Sequence, residues 1–154
     1  MIAPKEILDL LKSTESYRVE RTTSTGNMDK FCEASCAFSN DMPGSRKNGY
    51  LIIGASDDGS IAGMRVDDAL LKKIAGIRSD GNILPLPTMS VERFPFPEGD
   101  LLVAEVRPSD LPPVRYRSRT FIRVGPRRDI ATEAEERILA ERRCSFMATF
   151  DASP

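Results

Sequence analysis

The sequence predicts an α+β fold: a mixed, mostly antiparallel sheet with helices packed on it, covering one side. Three observations lead there. Gly49–Ala55 is a continuous apolar run of strand length, as in a strand buried on both faces. Residues 27–40 instead place their apolar side chains at helical spacing. Two turn signals, Ser56-Asp57-Asp58-Gly59 and Pro97-Glu98-Gly99-Asp100, each stand between apolar runs, the pattern of antiparallel hairpins.

The elements follow in order. Residues 4–13 predict a short helix, with Pro4 in its first turn, Glu6 and Asp9 near its positive end, and Ile7, Leu8, Leu10 and Leu11 as its apolar stripe. Tyr17–Glu20 reads as extended, and Thr22–Gly26 as a polar loop. In the helix of 27–40, Met28, Phe31, Cys32 and Cys36 face inward, and Asn40 and Asp41 serve as its C-terminal cap. Met42–Asn48 is a loop carrying Arg46 and Lys47. After the strand at 49–55, Asp58-Gly59 turns the chain into a second apolar run, Ile61–Met64. Val66–Ser79 predicts a helix with Asp67 and Asp68 at its start and Lys72, Lys73 and Arg78 toward its end. Pro85–Phe94 and Leu101–Arg107 predict two strands, Pro108–Pro113 a rigid loop, and Arg115–Arg119 with Phe121–Val124 at least one more strand or a tight hairpin. Thr132-Glu133-Ala134-Glu135 is a capping box opening a last helix to about Arg143. The tail 145–154 shows no period and is expected to wander, so the domain is set at 1–144.

Composition narrows the chemistry. The 154 residues suit one domain, and 40% hydrophobic with 29% charged residues are globular values. No apolar run is long enough to cross a bilayer, and no charged start leads into an apolar signal segment, so the expectation is a cytoplasmic protein without membrane partners. The chain has no histidine, which excludes Ser-His-Asp and Cys-His catalysis and every imidazole metal site. Cys32, Cys36 and Cys144 lack the four-ligand spacing of structural zinc, and Cys32 and Cys36 read as core residues. Gly54–Gly59 has no lysine and lacks the spacing of a phosphate-binding nucleotide loop.

Charge is distributed unevenly. The formal net charge is −1, yet between Arg107 and Arg128 seven arginines face a single acid, Asp110. Arg115, Arg117 and Arg119 alternate, so on a strand they share one face, and Arg123 has the same phase. With Arg127 and Arg128, and with Arg46–Lys47 extending the track, such a face suits a phosphodiester backbone, because the guanidinium fork matches phosphate oxygens. The partner expected is therefore DNA or RNA. The same arginines on an acidic partner or a neighbouring subunit would make a docking or homo-oligomeric surface instead. Among the acids, Glu15 and Glu20 flank a strand start and Asp57 and Asp58 follow the apolar strand. Carboxylates at one sheet edge are what magnesium or manganese needs, although Asp58 also reads as a turn residue and Glu15 as a surface acid.

Four segments in order carry a resemblance: Glu15–Glu20; Ala37-Phe38-Ser39-Asn40; Gly49–Gly59 with Ile61-Ala62-Gly63; and Phe121–Gly125 ahead of Ala131–Glu135. Together they resemble the Schlafen Alba-like (AlbA_2) domain, over nearly the whole chain. The resemblance implies an α+β DNA-binding module of divergent AAA and RecG-related helicase-like regulators, and of Schlafens, with further domains following a linker that begins in the tail. It also implies, as an alternative, a metal-dependent nuclease in which Glu15, Glu20 and Asp57 hold Mg or Mn and act catalytically. This sequence has Arg21-Thr22 where the family has Phe-Lys after the second glutamate, and it enlarges the turn at Asn40–Gly49. Outside the nuclease alternative no cofactor is expected.

Overall fold

A computed structural model describes residues 2–12 and 18–152, with side chains to residue 149. Among the described residues the order is α1 (Pro4–Lys12), β1 (Val19–Thr22), α2 (Met28–Asn40), β2 (Gly49–Ile53), α3 (Asp68–Ala75) with a 3-10 turn at Gly76–Arg78, β3 (Ile83–Leu84), β4 (Met89–Phe96), β5 (Gly99–Val106), β6 (Arg115–Tyr116), β7 (Phe121–Val124), β8 (Arg127–Ile130) and α4 (Glu133–Ala152).

The principal sheet runs β1-β2-β5-β4. β1 lies parallel to β2, with Val19 opposite Tyr50 and Thr22 opposite Ile53, and the other two pairings are antiparallel. The mixed, mostly antiparallel α+β architecture is therefore as expected. Its coverage is not: helices occupy both faces. Leu51, Ile53, Leu102 and Ala104 point toward α2 and α3, where Phe31, Cys36, Ala37, Ile74 and Ile77 pack. Ile52, Val103, Leu101 and Phe94 point the other way, onto Ile7 and Leu11 of α1. Successive strand side chains alternate between faces, so a strand apolar at every position needs a layer on each side, and β2 is fully buried.

Local chemistry places the ends. Asn27 caps α2 by accepting from Lys30 N, and Asp41 closes it at φ 43°. Asp67 caps α3, which is shorter than the predicted 66–79 because the last turn tightens into the 3-10 segment. Gly59 sits at φ +86°, and a Cβ there would lie 2.1 Å from Leu11 O, so the Asp58-Gly59 turn fits against the end of α1 only without a side chain. Beyond this turn, the predicted second apolar strand reduces to one bridge, Ala55 with Ile61. β4 begins four residues later than predicted, at Met89, and runs on to Phe96.

The chain between 114 and 130 forms two small hairpins. β6 pairs with β3, and β7 pairs with β8, an element the sequence pattern did not reveal. Asn40 ties them to α2: its side chain accepts from Val114 N at 2.7 Å and donates to Val114 O at 2.9 Å and to Phe121 O at 2.7 Å. The capping box is present, Thr132 N donating to Glu135 Oε1 and Glu135 N to Thr132 Oγ1. The expected wandering tail is instead helix, since α4 continues to Ala152. Arg142 anchors it by donating to Asp41 O and Met42 O. No described helix is long and apolar enough to cross a membrane.

Candidate nucleic-acid interface

The alternation of Arg115, Arg117 and Arg119 does not become a strand row. Arg117 and Ser118 stand at φ 48° and 70°. They form the two-residue turn of a hairpin in which Tyr116 and Arg119 exchange hydrogen bonds of 2.9 and 3.0 Å. A type I′ turn requires positive φ at both central positions, so the strand phase ends at Tyr116. Tyr116 points inward, its Oη donating to Asp29 Oδ1 at 2.6 Å. Burial, and then that hydrogen bond, push its pKa up. Arg117 lies over the Tyr116 ring, 5.2 Å from its centroid.

The arginines divide into two groups. Arg115, Arg117, Arg119 and Arg127 are exposed. Three of these have loose carboxylate neighbours: Arg115 with Glu136 at 3.4 Å, Arg117 with Asp29 at 3.5 Å and Arg127 with Asp129 at 3.9 Å. Pairs of this kind contribute about 0–1 kcal/mol, so their cations can exchange onto another anion. Arg123 belongs to the fold instead, which corrects its place in the expected row. Its side chain is 1% exposed and donates to Glu20 Oε1, Val19 O and Pro126 O. Its guanidinium also lies over the Phe38 ring. Arg128 is intermediate, bridging Glu20 at 3.1 Å and Glu33 at 2.8 Å.

Helix α2 orders these groups. Asp29 meets Arg117 and Glu33 meets Arg128. Residues four apart lie on one helix face about 6 Å apart along the axis, so the β6 turn and the β7–β8 hairpin sit side by side over that face. Arg46 and Lys47 follow the opposite end of α2, roughly 20 Å from its first turn.

Below the β7–β8 hairpin is a cleft of about 350 Å³ whose charged lining is Glu20, Arg21, Lys30, Glu33, Asp57, Arg127 and Arg128. Arg21 reaches back to the end of α1, donating to Leu10 O and Leu11 O, and across to Asp57 O. Lys30 Nζ donates to Thr22 Oγ1. Glu20 is buried, and its Oε1 accepts from both Arg123 and Arg128. Glu15 lies outside the described residues. Of the other two members of the acid set, Glu20 is held by guanidinium groups and Asp57 is an exposed loop residue, and both line the cleft. No group of three or more acids or cysteines among the described residues could hold a metal ion. Among the described residues four cations line the cleft against three acids, and Glu20 already has two cationic partners. Arg21, Lys30 and Glu33 were not singled out from sequence. For Lys30 and Glu33 the signal was slight, a charged face on α2 opposite its apolar stripe, and Arg21, on β1, carried none of its own. Asp58 is a turn residue, its carboxylate held ionised by hydrogen bonds from Ser60 that lower its pKa.

Comparison with known proteins places this arrangement. The family model described as Schlafen, AlbA_2 matches residues 15–132. Among solved structures, the N-terminal domain of a protein from Nitrosomonas europaea, named as ATP-dependent DNA helicase RecG-related, has a TM-score of 0.60 at 22% identity. That match covers 86% of this chain and 92% of the other. The DIP2311 protein of Corynebacterium diphtheriae has a TM-score of 0.55 at 20% identity over 85% of this chain, which spans only 29% of that protein. No curated protein matches.

Proposed function

The chain belongs to the Schlafen AlbA_2 family, and from that footing we propose that it is a nucleic-acid-binding domain of a larger protein, holding the phosphate backbone of DNA or RNA. One observation carries the reading: four exposed arginines, Arg115, Arg117, Arg119 and Arg127, stand on two adjacent hairpins, and the carboxylates beside Arg115, Arg117 and Arg127 hold them loosely. Arg117 is presented at a turn tip, where a duplex groove or a bent single strand can meet it. Arg123 and Arg128 serve as the platform beneath, fixing the β7–β8 hairpin to β1 and α2. Phosphate contacts of this kind carry no base information.

The test is a fluorescence-polarisation titration against duplex and single-stranded oligonucleotides at two salt concentrations. Affinity should fall with salt by about 0.9 power per phosphate engaged. Replacing Arg115, Arg117 and Arg119 together with Ala should weaken binding evenly across sequences. No binding of the wild-type protein at low salt rejects the reading.

A further inference from the structure

The cleft beneath the β7–β8 hairpin contains a polar group that backbone binding leaves without a role. Glu20 is 5% exposed, and while its Oε1 accepts from Arg123 and Arg128, its Oε2 is buried with no hydrogen-bond partner among the described residues. A buried carboxylate oxygen in that state calls for a donor. The surroundings call for the opposite charge: Arg21, Lys30, Arg127 and Arg128 line the cleft against Glu20, Glu33 and Asp57, and Arg123 stands behind Glu20. The cleft therefore asks for an anion that also carries a hydrogen-bond donor.

Few groups satisfy both demands. A phosphodiester supplies charge but has no O–H, so Oε2 would face it unpaired. A divalent cation would answer Oε2 but would meet an excess of arginine and lysine. A phosphomonoester near its second ionisation supplies up to two negative charges and, in the singly ionised form, a P–OH.

We propose that this cleft holds the terminal phosphate of a nucleic-acid strand, with Lys30 and Arg127 on its oxygens and Glu20 Oε2 accepting from its P–OH. Lys30 Nζ has three donors, of which Thr22 Oγ1 engages one, and Arg127 is 80% exposed at the rim. The volume, about 350 Å³, exceeds that of a phosphate group and leaves room for the sugar that bears it. The proposal rests on the nucleic-acid reading only for the bearer of the phosphate.

The full chain at pH 6, where roughly half of a phosphomonoester keeps its proton, is titrated separately with methyl phosphate, sulfate and Mn²⁺, followed by amide NMR shifts. Methyl phosphate is expected to shift Glu20, Lys30 and Arg128 and to bind about tenfold tighter than sulfate, which has similar size and charge without the proton. Lys30→Met, a change on the polar face of α2, is expected to weaken it about tenfold. Glu20→Gln should abolish the preference over sulfate, and Lys30→Met keeps the test decisive if that variant fails to fold. Equal binding of sulfate, or Mn²⁺ broadening centred on Glu20 and Asp57 without any methyl phosphate effect, overturns the proposal. A second arm compares oligonucleotides ending in phosphate or hydroxyl. The phosphate end should bind about fivefold tighter, and only with Lys30 intact. Equal binding overturns the terminal-phosphate proposal while backbone binding stands. Methyl phosphate binding with no oligonucleotide binding rejects the strand end as bearer, a failure of the nucleic-acid reading rather than of the cleft chemistry.

Discussion

Arg123 Nη1 donates to Glu20 Oε1 across 2.5 Å, and the two side chains are 1% and 7% exposed. This pair joins β7 to β1 over a separation of 103 residues. The carboxylate that the family resemblance assigned to metal chemistry is the anchor of a hairpin. Removing Glu20 leaves Arg123, 1% exposed, without its carboxylate, whereas removing Arg123 leaves Glu20 with Arg128.

Glu20→Met should therefore destabilise the protein by about 3–5 kcal/mol, and Arg123→Met by less, because Arg128 still meets the carboxylate. The Glu20→Met, Arg123→Met double variant should lose much less than the sum of its single changes. Urea denaturation of all three measures this. Additive losses would show that the residues do not act as a pair.

Asn40 makes its hydrogen bonds to Val114 and Phe121 from a buried position. Asn40→Ala leaves the Val114 N–H and the Phe121 carbonyl unpaired, while Val114 O keeps Cys36 Sγ, and should cost about 3 kcal/mol. The β6 and β7–β8 amides should exchange with deuterium faster than those of β2 and β5. Uniform loss of protection would mean that the hairpins have no separate dependence on this side chain.

At the β6 turn, stability and binding should separate. Ser118→Gly relieves a positive φ and should stabilise by about 0.5–1 kcal/mol, leaving oligonucleotide affinity unchanged. Arg117→Asn also suits the turn, but it should lower affinity severalfold because a cation is removed. Thermal melts and polarisation titrations of the two variants check both statements. A fall in affinity with Ser118→Gly would place binding in the turn's strain rather than in its charge.

Burial raises the Cys32 thiol from 9.0 to about 11 and the Cys36 thiol to about 12. In each case the folded pKa lies above the unfolded one. The stability they contribute is complete below pH 9 and declines as pH rises toward 11–12. Tyr50, raised to about 12 by burial and then by its hydrogen bond with Glu105, adds to the same alkaline loss. Melting temperature should fall steadily above pH 9. At pH 8 the native protein should react with a thiol reagent at exposed Cys144 only, and at all three cysteines in urea.

Much of the scaffold was legible because its causes are local. Asn27 with the apolar spacing through Phe38 specifies α2, the run Gly49–Ile53 specifies β2, and Thr132 with Glu135 specifies the start of α4. The end of α4 was not legible, because Ser145–Ala152 has no apolar stripe; Arg142, midway along the helix, ties it to the carbonyls after α2. Likewise β8 pairs through its backbone with β7, and Arg127-Arg128-Asp129 carries no strand pattern of its own.

The candidate site shows the same division. That arginines gather between 107 and 128 is a property of the chain alone. Which of them can meet a ligand depends on a turn at Arg117-Ser118 that breaks the alternation, and on acids brought from elsewhere: Asp29 beside Arg117, Glu33 beside Arg128, Glu20 beneath Arg123. Periodicity assigns side chains to faces only while one strand continues. Past a turn the face is reset, and whether a charge is spent inside the protein or offered to solvent is decided by partners tens of residues away.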